Sequence, residues 1–263
     1  MTTLTRATGD SATMLGRQLR HLVRYPSMTL LLVGMPIVFL LLFVYVFGGT
    51  MGAGLGDASG GRAEYLDYIA PGIMLMAVAS AAQGTAISVA MDMTEGIIAR
   101  FRTMDIARVS VLTGHVLGTL IQTLLSVAIV TGVALLIGFR PSAGPGEWAA
   151  AIGLLALVTL ALTWLSVALG LVSDSVETAS NIPMPLVFLP FLSSGFVPTD
   201  TMPTGLRWFA EYQPFTPIIE TLRGLLMGTE IGNNAVIAVA WCVAIALASY
   251  IWAKRLYNRD PAR

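Results

Sequence analysis

Six segments of the chain are continuously apolar, and charged residues are confined to the stretches between them. A helix needs about 20 residues, at ~1.5 Å each, to cross a hydrocarbon core of ~30 Å. Each segment reaches that length, and none alternates polar with apolar positions as barrel strands do. The pattern predicts an all-α integral membrane protein with six transmembrane helices. They cover residues 27–49, 67–91, 109–139, 148–173, 178–199 and 231–253, with Asp67 at one boundary.

The basic residues are unevenly divided between the two sides of this layout. Six crossings place both termini on one side, together with 11 of the 15 basic residues. Arginine and lysine are enriched on the cytoplasmic side of membrane proteins. We therefore expect a multi-pass protein of the cell membrane with both termini in the cytoplasm, including a tail at residues 254–263. The basic residues on that side are Arg6, Arg17, Arg20, Arg24, Arg100, Arg102, Arg108, Lys254, Arg255, Arg259 and Arg263.

Residues 10–25 predict an amphipathic helix before the first span. Apolar side chains occupy one half of its helical wheel and basic side chains the other, and Pro26 ends the pattern. Such a helix lies in the membrane interface with its basic face on anionic lipid headgroups. It acts either as an anchor alone or also as a contact for a cytoplasmic partner.

The loop at residues 92–108 combines charge with helical spacing. Ile97, Ile98, Phe101 and Met104 recur on one side of a helix, and charged residues flank them. A helix of this kind buries its apolar side against its own bundle or against another protein. The alternative is a solvated loop.

Residues 200–230 form a long segment on the opposite side that carries helical signals. We predict one short helix at residues 204–212 and a second with Thr216 at its N-cap, Pro217 at its first position and Gly228 past its end. Both are expected to fold onto or into the outer leaflet; the alternative is a lid that only stabilises the bundle. Prolines predict that the fifth span is kinked or shortened, namely Pro183, Pro185, Pro190 and Pro198.

Composition agrees with a membrane protein and disfavours several kinds of chemistry. Apolar residues make up 56% of the chain and charged residues 11%, against about 25% in soluble domains. The single lysine, Lys254, does not lie in a G-x-x-x-x-G-K-[ST] nucleotide-binding motif. One cysteine and two histidines are too few for a metal site, and His115 is expected to make a local hydrogen bond. We therefore expect no catalytic residue, no bound metal or cofactor and no nucleic-acid partner.

The predicted spans carry no carboxylate or lysine at mid-membrane, which disfavours proton or sodium coupling. The bundle is therefore either passive or driven by a partner. Its few polar, aromatic and methionine side chains suit amphiphilic substrates, although hydroxyls also commonly pack membrane helices together. The candidate substrate pathway comprises Met76, Ser80, Gln83, Phe188, Phe191, Ser193, Ser194 and Phe196.

Three segments resemble a known family. Residues 65–76 read Y-L-D-Y-I-A-P-G-I-M-L-M, similar to the start of that family's second span, and residues 92–118 carry an acidic-glycine pair before an arginine-rich run. The third segment is the most specific and matches at Phe196, Pro198, Met202, Pro203, Pro214, Thr216, Arg223 and Gly224. The family is that of the ABC-2 type transporter permeases, in its daunorubicin- and doxorubicin-resistance-like group of drug and lipid exporters.

The resemblance implies a single transmembrane domain over residues 1–263, with an N-terminal interfacial helix, a cytoplasmic coupling helix and two short re-entrant outer helices between spans five and six. It implies two permease subunits, as a homodimer or with a related paralogue, and two copies of a separate ABC ATPase that binds ATP and Mg. The implied ATPase-coupling residues are Glu95, Gly96, Ile97, Ile98, Arg100, Phe101, Arg102, Met104, Asp174 and Glu177. The implied outer re-entrant signature is Pro198, Pro203, Pro214, Thr216 and Arg223.

We therefore predict the permease subunit of an ATP-driven ABC exporter, which is not itself an enzyme. It would move hydrophobic or amphiphilic compounds, such as drugs, antibiotics or lipids, out of the cytoplasm or the inner leaflet. The alternatives are a non-transporting lipid-interacting scaffold or regulatory subunit, and a passive pore.

Overall fold

A computed structural model describes residues 26–53, 61–94 and 108–258. Every regular element in these ranges is helical, in agreement with the all-α prediction. The predicted interfacial helix at residues 10–25, most of the predicted coupling segment and residues 259–263 lie outside them. Five helices in the described ranges are long and apolar enough to cross a membrane, one fewer than the sequence predicts.

The first span is built from three helical pieces in direct succession. α1 (Pro26–Leu42) is followed by a π-helical turn (Phe43–Phe47) and by α2 (Gly48–Gly52). A Cβ atom at Gly52 would lie 2.3 Å from the carbonyl oxygen of Gly61, so no side chain fits there. The absence of a side chain thus allows the end of this span to pack closely on the segment that leads into the next helix.

α3 (Arg62–Thr94) is the central helix of the bundle, and most of its residues between 65 and 90 are buried. It contacts α1, α2 and the first two of the three long helices described next. At 33 residues it is about 50 Å long, which exceeds the ~30 Å hydrocarbon core, so its ends project beyond that core.

The long helices α4 (Arg108–Ile137), α5 (Pro145–Val172) and α10 (Asn234–Asn258) complete the bundle. α4 and α5 pack on α3 and on each other, and α10 packs on α5. A Cβ atom at Gly170 of α5 would lie 2.6 Å from the carbonyl oxygen of Ala86, so glycine permits close packing of α5 on α3. Large apolar side chains are exposed along the outer faces of α1, α4 and α10, as expected for surfaces that meet lipid.

We call the end of the bundle where α3 begins the Tyr65 end, and the end where α3 finishes the Asp92 end. α4 finishes at the Tyr65 end, because the backbone N–H of Arg140 donates to Oδ1 of Asp67 at 3.2 Å. Successive long helices are antiparallel, so α5 begins at the Tyr65 end and finishes at the Asp92 end.

The predicted fifth span, residues 178–199, is not one continuous helix. It contains most of α6 (Val176–Asn181), then α7 (Met184–Phe188), a 3₁₀ turn (Leu189–Leu192) and irregular backbone. Prolines 183, 185 and 190 remove backbone donors and clash with a preceding turn, so no long helix forms. We call residues 178–199 the broken segment. It runs antiparallel along α3, because Gln83 bonds to Ser180 near its start and Tyr65 bonds to Phe196 near its end. Gln83 and Tyr65 are about 27 Å apart along α3.

Residues 200–230 contain two short helices, as predicted, and they lie at the Tyr65 end. α8 spans Thr204–Tyr212 and α9 spans Phe215–Met227, and Gly228 ends α9 with a left-handed φ of +73°. The prediction of Thr216 as N-cap is wrong, because α9 begins at Phe215 and Thr216 is its second residue. Pro214 precedes the helix and supplies a suitable backbone angle without a backbone donor.

Candidate functional site

The guanidinium of Arg223 joins three parts of the protein at the Tyr65 end. Its Nη2 atom donates to the carbonyl oxygen of Ser194 at 2.7 Å and to that of Tyr68 at 3.1 Å. Its Nη1 atom donates to Oε1 of Glu220 at 2.6 Å, and its Cζ atom lies 3.9 Å from the centre of the Tyr68 ring. Arg223 is 7% exposed, so this cation is almost wholly enclosed by its partners. α9 is thereby fastened to α3 and to the broken segment.

The hydroxyl group of Thr216 forms hydrogen bonds in the same region. Its Oγ1 atom donates to the carbonyl oxygen of Ala210, at the end of α8, and accepts from the backbone N–H of Ser194 at 3.3 Å. Thr216 and Arg223 therefore hold the N–H and the carbonyl of one residue, Ser194. Both belong to the outer signature that the family resemblance implies.

Three further side chains satisfy backbone groups where the broken segment has no helical hydrogen bonds. Nε2 of Gln213 donates to the carbonyl oxygens of Leu189 and Leu192, at 3.3 and 3.1 Å. Oγ of Ser193 accepts from the N–H of Gly195 at 3.1 Å, and the Tyr65 hydroxyl donates to the carbonyl oxygen of Phe196 at 3.3 Å. Irregular backbone at membrane depth persists only where protein groups or water satisfy it. Sequence reasoning assigned no role to Gln213 or Tyr65, because neither residue type signals a distant backbone partner.

Gln83 likewise binds a backbone carbonyl, at the other end of the broken segment. Its Nε2 atom donates to the carbonyl oxygen of Ser180, at the end of α6, at 2.8 Å. The residue is partly exposed, as is Ser80, one turn away on α3. Oγ of Ser80 donates to the carbonyl oxygen of Met76 at 2.9 Å.

A strip of accessible surface on α3 differs from the lipid-facing surfaces of the bundle. Between residues 66 and 90, α3 exposes no large apolar side chain, whereas α4 exposes Leu125 at 56% and Leu136 at 86%. The strip covers residues 80–88, where partly exposed positions recur at helical spacing: Ser80, Gln83, Gly84, Ile87 and Ser88. Asp67 and Tyr68 are also partly exposed, but residues 69–79 between them and the strip are buried. Hydroxyl, amide and glycine positions dominate the strip from residue 80 to residue 88, which is unlike a surface adapted to hydrocarbon.

Phenylalanine side chains from α1 and the broken segment form a cluster. The Phe191 and Phe196 rings are stacked with centroids 4.5 Å apart, and Phe43 lies 4.9 Å from Phe196. Phe39 lies 5.6 Å from Phe191. Such contacts are favourable beyond simple burial and hold the broken segment against the first span.

The predicted pathway residues differ in accessibility. Met76, Ser193, Ser194 and Phe196 are buried within the chain. Ser80, Gln83 and Phe191 are partly exposed, and Phe188 is 50% exposed. The accessible members therefore lie on α3 and on the stretch from α7 to the 3₁₀ turn that follows it.

A buried ionisable pair lies at the Asp92 end. Nε2 of His115 on α4 is 3.0 Å from Oδ2 of Asp92 in the last turn of α3, and both residues are less than 10% exposed. His115 thus makes the expected hydrogen bond. The sequence pattern assigns its partner, Asp92, only to the start of the predicted loop. The signal available in the sequence was a carboxylate and a histidine flanking one loop.

The predicted coupling residues fall into two groups. Eight of them, Glu95, Gly96, Ile97, Ile98, Arg100, Phe101, Arg102 and Met104, lie outside the described residues. Asp174 and Glu177 are exposed at the Asp92 end, where Ser175 caps α6 by accepting from the N–H of Thr178 at 3.1 Å. Within the described ranges, no cluster of three or more histidine, cysteine or acidic residues is arranged to hold a metal ion.

Comparison with known proteins gives concordant matches. Residues 11–227 match the family model described as ABC-2 type transporter. The chain is 31% identical over 227 residues to a daunorubicin resistance ABC transporter permease protein of Streptomyces coeruleorubidus, covering 85% of this chain and 78% of that one. It is 22% identical over 213 residues to a probable doxorubicin resistance ABC transporter permease protein of Mycobacterium tuberculosis, covering 81% and 75%. It is 27% identical over 173 residues to ABC transporter G family member 20 of Dictyostelium discoideum, covering 63% and 23%.

Proposed function

The chain belongs to the ABC-2 type transporter family and is a transmembrane permease subunit, and from this premise we propose that it exports hydrophobic or amphiphilic compounds, such as drugs, antibiotics or lipids. The similarity to permeases named for daunorubicin and doxorubicin resistance carries the proposal. Compounds of this kind partition into lipid, so the chain would take them from the cytoplasm or the inner leaflet.

Energy would come from a separate ABC ATPase, present in two copies, that binds ATP and Mg. The sequence supports this division of labour, because its single lysine is not part of a nucleotide-binding loop. A second permease subunit, either another copy of this chain or a related one, would complete the transporter. Membrane lipid and the transported compound are the other partners.

The substrate pathway would follow the accessible strip of α3 and the neighbouring broken segment. Ser80, Gln83, Phe188 and Phe191 are its accessible members, and they offer hydrogen-bonding groups beside aromatic surface. The buried candidates would support this surface from the interior of the chain: Met76, Ser193, Ser194 and Phe196. The contrast between the strip and the large apolar residues exposed on α4 and α10 supports this assignment.

The ATPase would dock at the Asp92 end. The predicted coupling helix at about residues 95–104 connects α3 to α4 at that end, and Asp174 and Glu177 are exposed there. Closure of the ATPases on ATP would push this end and rock the long helices, so that the pathway opens outward. In this mechanism, rigid-body movement of helices links the ATPase site to the substrate pathway.

The chain would cross the membrane six times with both termini in the cytoplasm. The broken segment is bonded along about 27 Å of α3, close to the thickness of a ~30 Å core, which supports a sixth crossing made of short helices. α8 and α9 would then lie in the outer leaflet. The exposed Trp208 and Tyr212 of α8 suit a membrane interface.

Reconstitution tests this function directly. The permease, copurified with its ABC ATPase, is placed in liposomes, and efflux of a fluorescent anthracycline is followed with ATP or with a non-hydrolysable analogue. ATP-dependent efflux, together with ATPase activity stimulated by the compound, is expected. Folded permease that copurifies with no ATPase would favour the scaffold, and flux that is equal without ATP would favour the passive pore.

A further inference from the structure

We infer that Asp92 and His115 form a clamp that makes α3 and α4 respond as one unit to movement of the coupling segment between them. The inference rests on the proposed function, because it concerns how the proposed ATPase signal reaches the pathway. The two residues lie on opposite sides of the predicted coupling segment, in the last turn of α3 and near the start of α4. Their side chains meet at 3.0 Å between Nε2 and Oδ2.

The pair is buried at a closely packed end of the bundle. Both residues are more than nine-tenths buried. Around this end of the bundle, α3, α4, α5 and α10 share a packed apolar cluster made of Val89, Val116, Val167, Ala168, Ala253 and Tyr257. A buried hydrogen bond is stronger than one in water and fixes the geometry of its partners, because the surroundings screen it less.

A second polar link joins the same two helix faces. Oγ1 of Thr85 on α3 lies 2.7 Å from Oγ1 of Thr119 on α4, and both residues are buried. Thr85 is two helical turns before Asp92, and Thr119 is one turn after His115, so each helix uses a single face for both links. Two links on one face oppose both separation and relative rotation of the helices.

This arrangement has a mechanical consequence. α3 and α4 form a helical hairpin that is joined by the coupling segment. If no link held the two helices together near that segment, a push on it could separate them, and the push would not move the rest of α3. With the clamp closed, the same push displaces α3 and α4 together. α3 carries Ser80 and Gln83 of the proposed pathway, so the movement reaches the place where substrate would bind.

The test separates coupling from folding and from the proposed function itself. Asp92→Ala and His115→Ala are compared with wild type for ATPase copurification, ATP hydrolysis and drug efflux per ATP hydrolysed. We expect both variants to bind the ATPase and to hydrolyse ATP, with efflux per ATP lower by about tenfold, as for loss of a coupling contact. Thr94→Ala is the matched control, because Thr94 is exposed in the same turn of α3 and its hydroxyl donates to Met91 of its own helix.

A double variant distinguishes a clamp from a merely structural pair. The exchange Asp92→His with His115→Asp is expected to restore efflux per ATP to within about threefold of wild type.

Unchanged efflux per ATP in both alanine variants would overturn the clamp. So would an exchanged double variant that binds the ATPase and hydrolyses ATP but is as poorly coupled as the single alanine variants. If wild type itself shows no ATP-driven efflux, the proposed function fails first.

Discussion

The Nη2 atom of Arg223 lies 2.7 Å from the carbonyl oxygen of Ser194, although 29 positions separate the two residues in the chain. The backbone at Ser194 is irregular, and this carbonyl is buried. A buried carbonyl without a donor costs free energy comparable to a lost hydrogen bond. Arg223 supplies that donor, so the broken segment and α9 stabilise each other.

Replacing Arg223 by alanine is expected to destabilise the protein by about 2–4 kcal/mol, because Glu220 and two carbonyl oxygens lose their donor. Thermal unfolding in detergent would show a midpoint lower by roughly 5–12 °C. Arg207→Ala is the matched control. Arg207 also pairs with a glutamate, Glu211, at 2.7 Å, but both side chains are well exposed.

The control pair differs from the buried one in its electrostatic environment. The hydrogen bond from Arg207 to Glu211 raises the pKa of Arg207, which is charged at any physiological pH in either case. Exposed pairs of this kind contribute little to stability. A midpoint that falls equally in both variants would mean that Arg223 does not hold the broken segment.

Gly72→Ala tests the contact between α3 and the broken segment. A Cβ atom at Gly72 would lie 2.7 Å from the carbonyl oxygen of Gly195, and backbone cannot withdraw as a flexible side chain can. We expect about 1–3 kcal/mol of destabilisation from overpacking, together with loss of efflux.

Gly132→Ala on α4 is its control, because no atom lies within 4 Å of the added Cβ. There alanine should stabilise the helix by about 0.5–1 kcal/mol, owing to the lower backbone entropy of the unfolded chain. The two variants, unfolded side by side in detergent, should therefore move in opposite directions. A Gly72→Ala protein as stable as wild type would contradict the close backbone contact.

Ser80→Trp tests the accessible strip as a substrate pathway. A tryptophan at this partly exposed position would occupy space that substrate needs, so we expect efflux to fall at least about tenfold with ATPase assembly intact. Leu125→Trp, on a 56% exposed position of α4, should leave efflux unchanged, because that face meets lipid. Equal effects at the two positions would argue against a pathway along α3.

Cysteine labelling tests the six-crossing topology. In a Cys242→Ala background, Ala143→Cys lies at the Tyr65 end, and Ala262→Cys lies in the predicted cytoplasmic tail. An impermeant maleimide should label Ala143→Cys in intact cells, and should label Ala262→Cys only after the membrane is permeabilised. Labelling of the tail in intact cells would reverse the orientation inferred from the basic residues.

Several features follow from the sequence because their causes are local. The apolar runs that became α1, α3, α4, α5 and α10 are recognisable because the free energy of placing a segment in lipid depends mainly on that segment's own residues. The end of α9 at Gly228 and the bounds of α8 follow from proline and glycine chemistry within a few residues. The prolines likewise predicted an interrupted fifth span, but they did not predict where each of its short helices begins and ends.

The tertiary structure alone decided which side chains face inward and which distant groups they bind. In a membrane helix, the face toward lipid and the face toward the core are both apolar, so periodicity does not separate Ser193, which is buried, from Ser80, which is partly exposed. The contact of Asp92 with His115 also depends on how two helices pack. The hydrogen bond of Arg223 to Ser194 depends on where the broken segment leaves a carbonyl oxygen without a helical donor. Its hydrogen bond to Tyr68 depends on how α9 packs on α3. No local pattern encodes either contact.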